Sequence, residues 1–343
     1  MVQEYEKIFK IEIFTVKKIN FLDLDLNNID AYKLRGHSFY KFLNEDRKKI
    51  FKKFNHLLTK KKFNCPLCNS NKKKTIFLKV TKKYFLRKCN ICEMVYPNIN
   101  VAKIKNYTDL IYKGYSNNFH SKNKLKKKIY RHKFILDRFN YCIKKNFKNL
   151  KKIKILEIGC GSGEFLKYVK SKKIKHKGIE LDPQQLEIAK KNRLNVTNDS
   201  LEIEANNEYN LILMFDVLEH LINPVKYIKL ISKKLKKNGL LICYIPNINS
   251  IGFELMKEKQ NLIYPFEHIN FFNKKSLSFL SKKGNLKIKK IETYGLDLID
   301  YFLFKEFNDK KKYIKDFPFL IDLLQSSIDK SGLSNHYRIT FQK

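Results

Sequence analysis

One segment, Lys154-Ile-Leu-Glu-Ile-Gly-Cys-Gly-Ser-Gly-Glu-Phe-Leu166, restricts the fold of this chain more than any other. It reads as a short apolar strand, a glycine turn and the start of a helix. Glycines at 159, 161 and 163 let the backbone approach a ligand closely and turn amide groups toward it. Gly178-Ile-Glu180-Leu-Asp182 then closes a second strand, and a third ends before Asn198-Asp-Ser200. Strand–helix alternation of this kind predicts an α/β fold with helices on both faces of a mostly parallel sheet.

The turn excludes two common ligands. A dinucleotide fingerprint needs its third glycine at 164, where this chain has Glu164, and an acid there repels a pyrophosphate seated on the helix N-terminus. A P-loop needs Gly-Lys-Ser/Thr, which is absent. The remaining fit is a cationic ligand without phosphates. Charge supports this: Glu157 to Glu219 holds eleven acids against nine Lys/Arg, and Leu194 to Val225 contains no Lys or Arg.

That window is the exception in a chain of formal charge +39. Of the 72 basic residues only seven are Arg (35, 47, 87, 131, 138, 193 and 338), and Trp is absent. Selection for phosphate recognition favours Arg forks, so the excess of Lys reads as compositional bias and argues against a nucleic-acid partner. Hydrophobic residues make up 43% of the 343, enough for a sizeable core. No apolar run reaches the length of a membrane span, and Glu4 and Glu6 stand where an export signal would be basic and then apolar. A cytoplasmic location is expected.

Four of seven cysteines form Cys65-Pro-Leu-Cys68 and Cys89-Asn-Ile-Cys92, a C-x2-C-x20-C-x2-C array. Each pair suits a tight knuckle that aims two thiolates at one tetrahedral ion, and the two together complete a closed zinc site. With no open position the zinc is expected to staple the fold. Thr75–Val80 and Tyr84–Leu86 read as the hairpin strands of this ribbon. Cys142, Cys160 and Cys243 read as buried free thiols.

The glycine turn with its partner acid resembles the first motif of class I S-adenosylmethionine-dependent methyltransferases. Further marks are Tyr209-Asn-Leu-Ile-Leu-Met-Phe-Asp-Val-Leu-Glu-His220, Asn223-Pro224 opening a helix, Gly239–Pro246 and Glu267-His-Ile-Asn-Phe-Phe272. The resemblance covers residues 150–343 and implies a Rossmann-like seven-stranded sheet and S-adenosyl-L-methionine as cofactor. It also implies site residues. Gly159, Gly161 and Gly163 would pass under the methionine part and Glu157 would orient that turn and the amino group. Glu180 would hold the ribose and Asp199 the adenine amine, while Phe215 and Asp216 would lie beside the sulfonium.

The acceptor is less constrained. The fourth strand ends without the Asn/Asp-Pro-Pro-aromatic element used for amino groups of bases, and Glu219 and His220 stand at the mouth instead. They suit deprotonation of a hydroxyl or of a carbon beside a ketone; the alternative is that they cap the following helix. His268 is a second candidate base, or a residue locking the cover formed by Ile251–Pro265. Ribbon, Tyr-rich connector (Asn106–Tyr115) and catalytic domain together resemble a bacterial group that includes deoxysugar C-methyltransferases. The catalytic domain alone is similar to ubiquinone-pathway O-methyltransferases. The expected partner is therefore a small acceptor, first a sugar nucleotide. A quinone-type acceptor, an RNA methyltransferase with a zinc module and a non-catalytic ligand-sensing protein remain as alternatives. The expected organisation is residues 1–62 without a chemical motif (an acidic patch at Asp23–Asp30, a helix at Asp46–Lys62) and a ribbon at 63–96. A helical connector at 97–150, with a helix at Leu125–Phe147, precedes the catalytic domain at 151–343, which carries acceptor-side insertions at 247–273 and 297–332.

Overall fold

A computed structural model describes residues 35, 38–72, 74–107, 110, 128–315 and 318–343. The acidic patch at 23–30, and the part of the Tyr-rich connector from 111 to 115, lie outside them. In chain order, helix α1 (Phe39–Phe54) leads to a three-stranded sheet of β1 (Lys74–Lys79), β2 (Phe85–Cys89) and β3 (Val95–Pro97). Helix α2 (Lys128–Phe139) continues into a π-helical turn, Asn140–Lys144. The larger sheet then begins with β4 (Lys154–Ile158), α3 (Glu164–Ser171), β5 (Lys175–Ile179), α4 (Pro183–Lys191), β6 (Val196–Thr197) and β7 (Tyr209–Phe215). It is completed by α5 (Pro224–Lys234), β8 (Leu235–Pro246), α6 (Ile251–Met256), α7 (Lys274–Lys283), β9 (Lys287–Tyr294), α8 (Asp297–Asp309), α9 (Pro318–Ser331) and β10 (His336–Gln342).

The seven strands run β6-β5-β4-β7-β8-β10-β9, with β10 antiparallel to both neighbours and the other pairings parallel. The order reverses between β4 and β7, and the crevice beyond their carboxyl ends is where an open α/β sheet accepts a ligand. Both strands are almost wholly apolar because helices cover both faces. Alternation along β7 shows it: Tyr209, Ile212 and Met214 join a core with α5 and α7, while Leu211, Leu213 and Phe215 pack with α2 and α3 on the other side.

The sequence reading places the ribbon hairpin within a residue or two of β1 and the start of β2, but stops β2 three residues short and omits β3. The helix expected at 46–62 begins at Phe39 and ends at Phe54, where a 3-10 turn and extended Leu58 take over. Its Tyr40, Leu43, Ile50 and Phe54 are buried against the two insertions, a partner that local periodicity cannot reveal. The N-terminal residues and both insertions thus share apolar clusters: Ile50, Phe54, Tyr84 and Val95 pack with Phe253, Phe266, Ile269 and Phe271, and Tyr40 and Leu43 pack with Leu298 and Leu303. Among the described residues no helix is long and apolar enough to cross a membrane.

Helix α2 is fastened to the sheet by a buried ion pair. Arg338 on β10 is fully buried and donates to Asp137 at 2.6 Å, with its guanidinium against the rings of Tyr294, Tyr141 and Tyr244 at 4.2, 4.9 and 5.2 Å. Removing one member of such a pair strands the other charge in the core. Asp137→Ala is therefore expected to destabilise the chain by about 3–5 kcal/mol in chemical denaturation. A loss below about 1 kcal/mol would show that the pair contributes little.

Candidate functional site

The turn after β4 is built as its glycines require. Gly159, Gly161 and Gly163 have φ of 69°, 54° and 77°. A Cβ on Gly163 would stand 2.2 Å from Leu194, whereas one on Gly161 would meet nothing within 4 Å, so the turn is closed toward the core and open at Gly161 toward the crevice. Glu180 lies beyond the end of β5 and braces the turn, accepting from the Gly161 amide at 2.6 Å and the Asp182 amide at 2.8 Å. Asp199 is exposed beyond β6 and forms a local turn with Thr197, whose hydroxyl donates to it at 2.5 Å.

Glu157 is 4% exposed, and its Oε2 has no hydrogen-bond partner among the described residues. Burial pushes its carboxyl up to about 8; Glu180 adds to the shift and Arg138 opposes it. An orphaned, desolvated carboxyl beside an open glycine turn fits a ligand that brings positive charge. Phe215 ends β7, its ring edge-on to Phe165 at 5.4 Å and Tyr244 at 4.9 Å. Asp216 follows in the left-handed region (φ 56°) with its side chain half exposed.

Arg138 completes this cup and was not singled out from the sequence. Its guanidinium lies 4.3 Å from the Phe215 ring centroid and 3.7 Å from Asp216. The available signal was the scarcity of Arg among so many Lys. Arg35 and Arg87 each use two nitrogens, on Asp300 and on the Lys60 and Lys61 carbonyls, while Arg47 and Arg338 bond through Nη2, to the Gln260 and Ile263 carbonyls and to Asp137.

Beyond β7 a 3-10 turn, Leu218–His220, presents the second group. Glu219, His220 and His268 bring one donor atom each within 4.8 Å of one another, and the two imidazole centroids are 4.8 Å apart. His220 Nδ1 donates to the Glu267 carbonyl at 2.9 Å and His268 Nδ1 to the Leu262 carbonyl at 2.8 Å, leaving both Nε2 atoms as acceptors. Burial holds both imidazoles below their usual range, His268 the more so because His220 adjoins it. Glu219 is 1% exposed with neither oxygen bonded among the described residues; burial, with Asp216 adding, raises it well above the carboxylate range. The set can move a proton or take a divalent cation. Glu219 and His220 do not cap α5, whose N-cap is Asn223, accepting from the Lys226 amide.

The cysteine quartet is assembled elsewhere. Its four sulfurs lie within 4.8 Å of one another, with Cys65–Cys92 and Cys68–Cys89 at 3.6 Å. Tetrahedral zinc with bonds of about 2.3 Å sets sulfurs roughly 3.8 Å apart, so the quartet fits that ion. The two knuckles are built alike: Cys65 donates to Ser70 and accepts from Asn69, and Cys89 donates to Met94 and accepts from Glu93. Cys142, Cys160 and Cys243 are free and buried.

A carboxyl raised in the folded state stabilises the fold below its unfolded value and loses that contribution as pH rises toward about 8. Glu157→Gln is therefore expected to leave stability at pH 4 little changed and to raise it by roughly 1–3 kcal/mol at pH 8. Parallel wild-type and variant stability curves across that range would contradict the assignment.

Residues 128–291 match a family model described as a methyltransferase domain. A ubiquinone biosynthesis O-methyltransferase of Pelagibacter ubique (strain HTCC1062) is 28% identical over 174 residues, 47% of this chain and 72% of that protein. Among solved structures, a SAM-dependent methyltransferase from Archaeoglobus fulgidus aligns with 69% of this chain and 100% of its own, at 17% identity and a TM-score of 0.45. A SAM-dependent methyltransferase from Thermotoga maritima, described as a possible histamine N-methyltransferase, aligns over 63% and 95%, at 22% identity and a TM-score of 0.40.

Proposed function

We propose that this chain, an S-adenosylmethionine-dependent methyltransferase with its methyltransferase domain at residues 128–291, methylates an oxygen or carbon of a small acceptor that must first lose a proton. The observation that carries the reading is the pair of imidazoles whose Nδ1 atoms donate to backbone carbonyls, the tautomer in which Nε2 is the basic nitrogen, gathered with Glu219 within 4.8 Å. When bound, S-adenosyl-L-methionine supplies an activated methyl group. Gly159, Gly161 and Gly163 would pass beneath its methionine part, Glu157 would meet the ammonium and Arg138 the carboxylate. Glu180 would hold the ribose, Asp199 the adenine amine, and Phe215 and Asp216 would lie beside the sulfur.

At the acceptor end, His220 Nε2 takes the proton from the acceptor hydroxyl or carbon acid as it attacks in line. The Glu267 carbonyl holds the ring in the tautomer that can accept, and desolvation keeps both imidazoles neutral, and so competent, at neutral pH. Buried beside them, Glu219 lies within 4.8 Å of the imidazolium that forms. Holding both reactants in line supplies the proximity that speeds the transfer.

The ribbon joined to this domain resembles deoxysugar C-methyltransferases and favours a keto-sugar nucleotide acceptor. A quinone-type acceptor is the second reading, favoured by the Pelagibacter relative. Labelled cofactor offered with a 4-keto-sugar nucleotide, a catechol or RNA, with and without a chelator, separates these. His220→Ala is expected to leave cofactor affinity nearly intact and cut turnover by ~10²–10⁴-fold. Full activity in both His220→Ala and His268→Ala would remove the proton-transfer reading, and loss of activity to chelator alone would replace it with a bound cation.

Cys65, Cys68, Cys89 and Cys92 would hold one zinc ion with no open position. Metal analysis is expected to find one zinc per chain, and Cys68→Ser to release it and lower the melting temperature of the whole chain, because the ribbon shares a core with the sheet. Stoichiometric zinc in a variant lacking all four thiols would refute the site.

A further inference from the structure

The small three-stranded sheet does not end at β3. Val95 pairs with Lys88 of β2 on one side, and on the other its amide and carbonyl both bond Phe271, at 3.2 and 2.8 Å. Beside it, Glu93, left-handed at φ 59° immediately after Cys92, accepts from Asn273 Nδ2 through its carbonyl at 3.1 Å and from Lys275 Nζ through its carboxylate at 3.0 Å. Asn273 in turn caps α7.

The same short stretch, Glu267 to Asn273, is tied to the catalytic mouth from its other side. The Ile269 and Asn270 amides both donate to the Glu219 carbonyl at 3.0 Å, and Asn270 Nδ2 donates to the Leu221 carbonyl at 2.6 Å. Its Glu267 carbonyl orients His220, and it carries His268 itself. One strap of seven residues therefore runs from the cysteine knuckle to both imidazoles, held by backbone hydrogen bonds at each end.

We propose that the ribbon acts as a positioning element for methyl transfer: Val95 and Glu93 hold the Glu267–Asn273 strap so that His268 and His220 stay edge-on, 4.8 Å apart, beside Glu219. This rests on the reading that these imidazoles handle the acceptor proton, and the ribbon's contribution is to the acceptor end alone. The glycine turn follows β4 and Glu180 follows β5, and none of the hydrogen bonds that hold the strap falls on them.

The test compares three variants of the full chain by calorimetric cofactor affinity, turnover and 15N imidazole signals. Val95→Pro deletes the amide that faces Phe271 and leaves the amides paired with β2. Val95→Ala removes comparable side-chain volume but keeps the amide. Glu93→Gly preserves the left-handed knuckle and removes the carboxylate hold on Lys275. Expected for Val95→Pro are shifted His220 and His268 signals, turnover lower by about tenfold to a hundredfold, and cofactor affinity within about threefold of wild type. Val95→Ala retains wild-type signals, and Glu93→Gly shifts them in the same direction as proline, which decides the matter if the proline variant does not fold. Unmoved signals in Val95→Pro, or in Glu93→Gly where the former is unfolded, overturn the positioning role. Moved signals with full turnover leave that role standing and overturn the proton-transfer reading instead.

Discussion

The buried pair between Arg338 and Asp137 is the contact on which the arrangement of the site turns. Arg338 sits on β10, the one antiparallel strand of the large sheet, under three tyrosine rings. Its partner on α2 is followed directly by Arg138, which reaches the Phe215 ring and Asp216 at the crevice. A strand laid down last in the chain thus holds in place a helix that precedes the sheet. An ion pair with no water to replace either partner tolerates little displacement of that helix.

Two desolvated carboxyls, one on β4 and one in the turn beyond β7, define two kinds of chemistry. Glu157 faces the glycine turn, where a cationic ligand would restore its charge. Glu219 faces two imidazoles, where a transferred proton or a bound cation would do so. Each costs stability in the free protein, and neither Glu157 Oε2 nor either Glu219 oxygen has a hydrogen-bond partner among the described residues. That is the usual mark of groups arranged for a ligand rather than for the fold.

The strap from Glu267 to Asn273 joins the two halves of the molecule. It lies between Val95 of the small sheet and the Glu219 carbonyl, and its own side chains, Phe271 and Ile269, enter the apolar cluster shared with α1. The described N-terminal residues, which carry no chemical motif outside the cysteines, are in this way tied to the segment that carries His268.

Much of this was legible in the residues themselves because it depends on short-range chemistry. A glycine turn after an apolar strand, an acid at the end of the next strand and paired cysteines two apart each need only a few neighbouring residues, and the structure places all of them as the spacing requires. Glu219, His220 and His268 were readable as candidates, yet not as a cluster, since 48 residues separate the two histidines in sequence and only the strap brings them to 4.8 Å. Arg138 was hidden in a Lys-rich background, although the rarity of Arg was itself the clue. The helix boundary at Phe39, strand β3 and the pairing of Asp137 with Arg338 were decided by tertiary structure, because each is stabilised by partners far along the chain. Local sequence sets which conformations and chemistries are available; burial against distant residues selects among them.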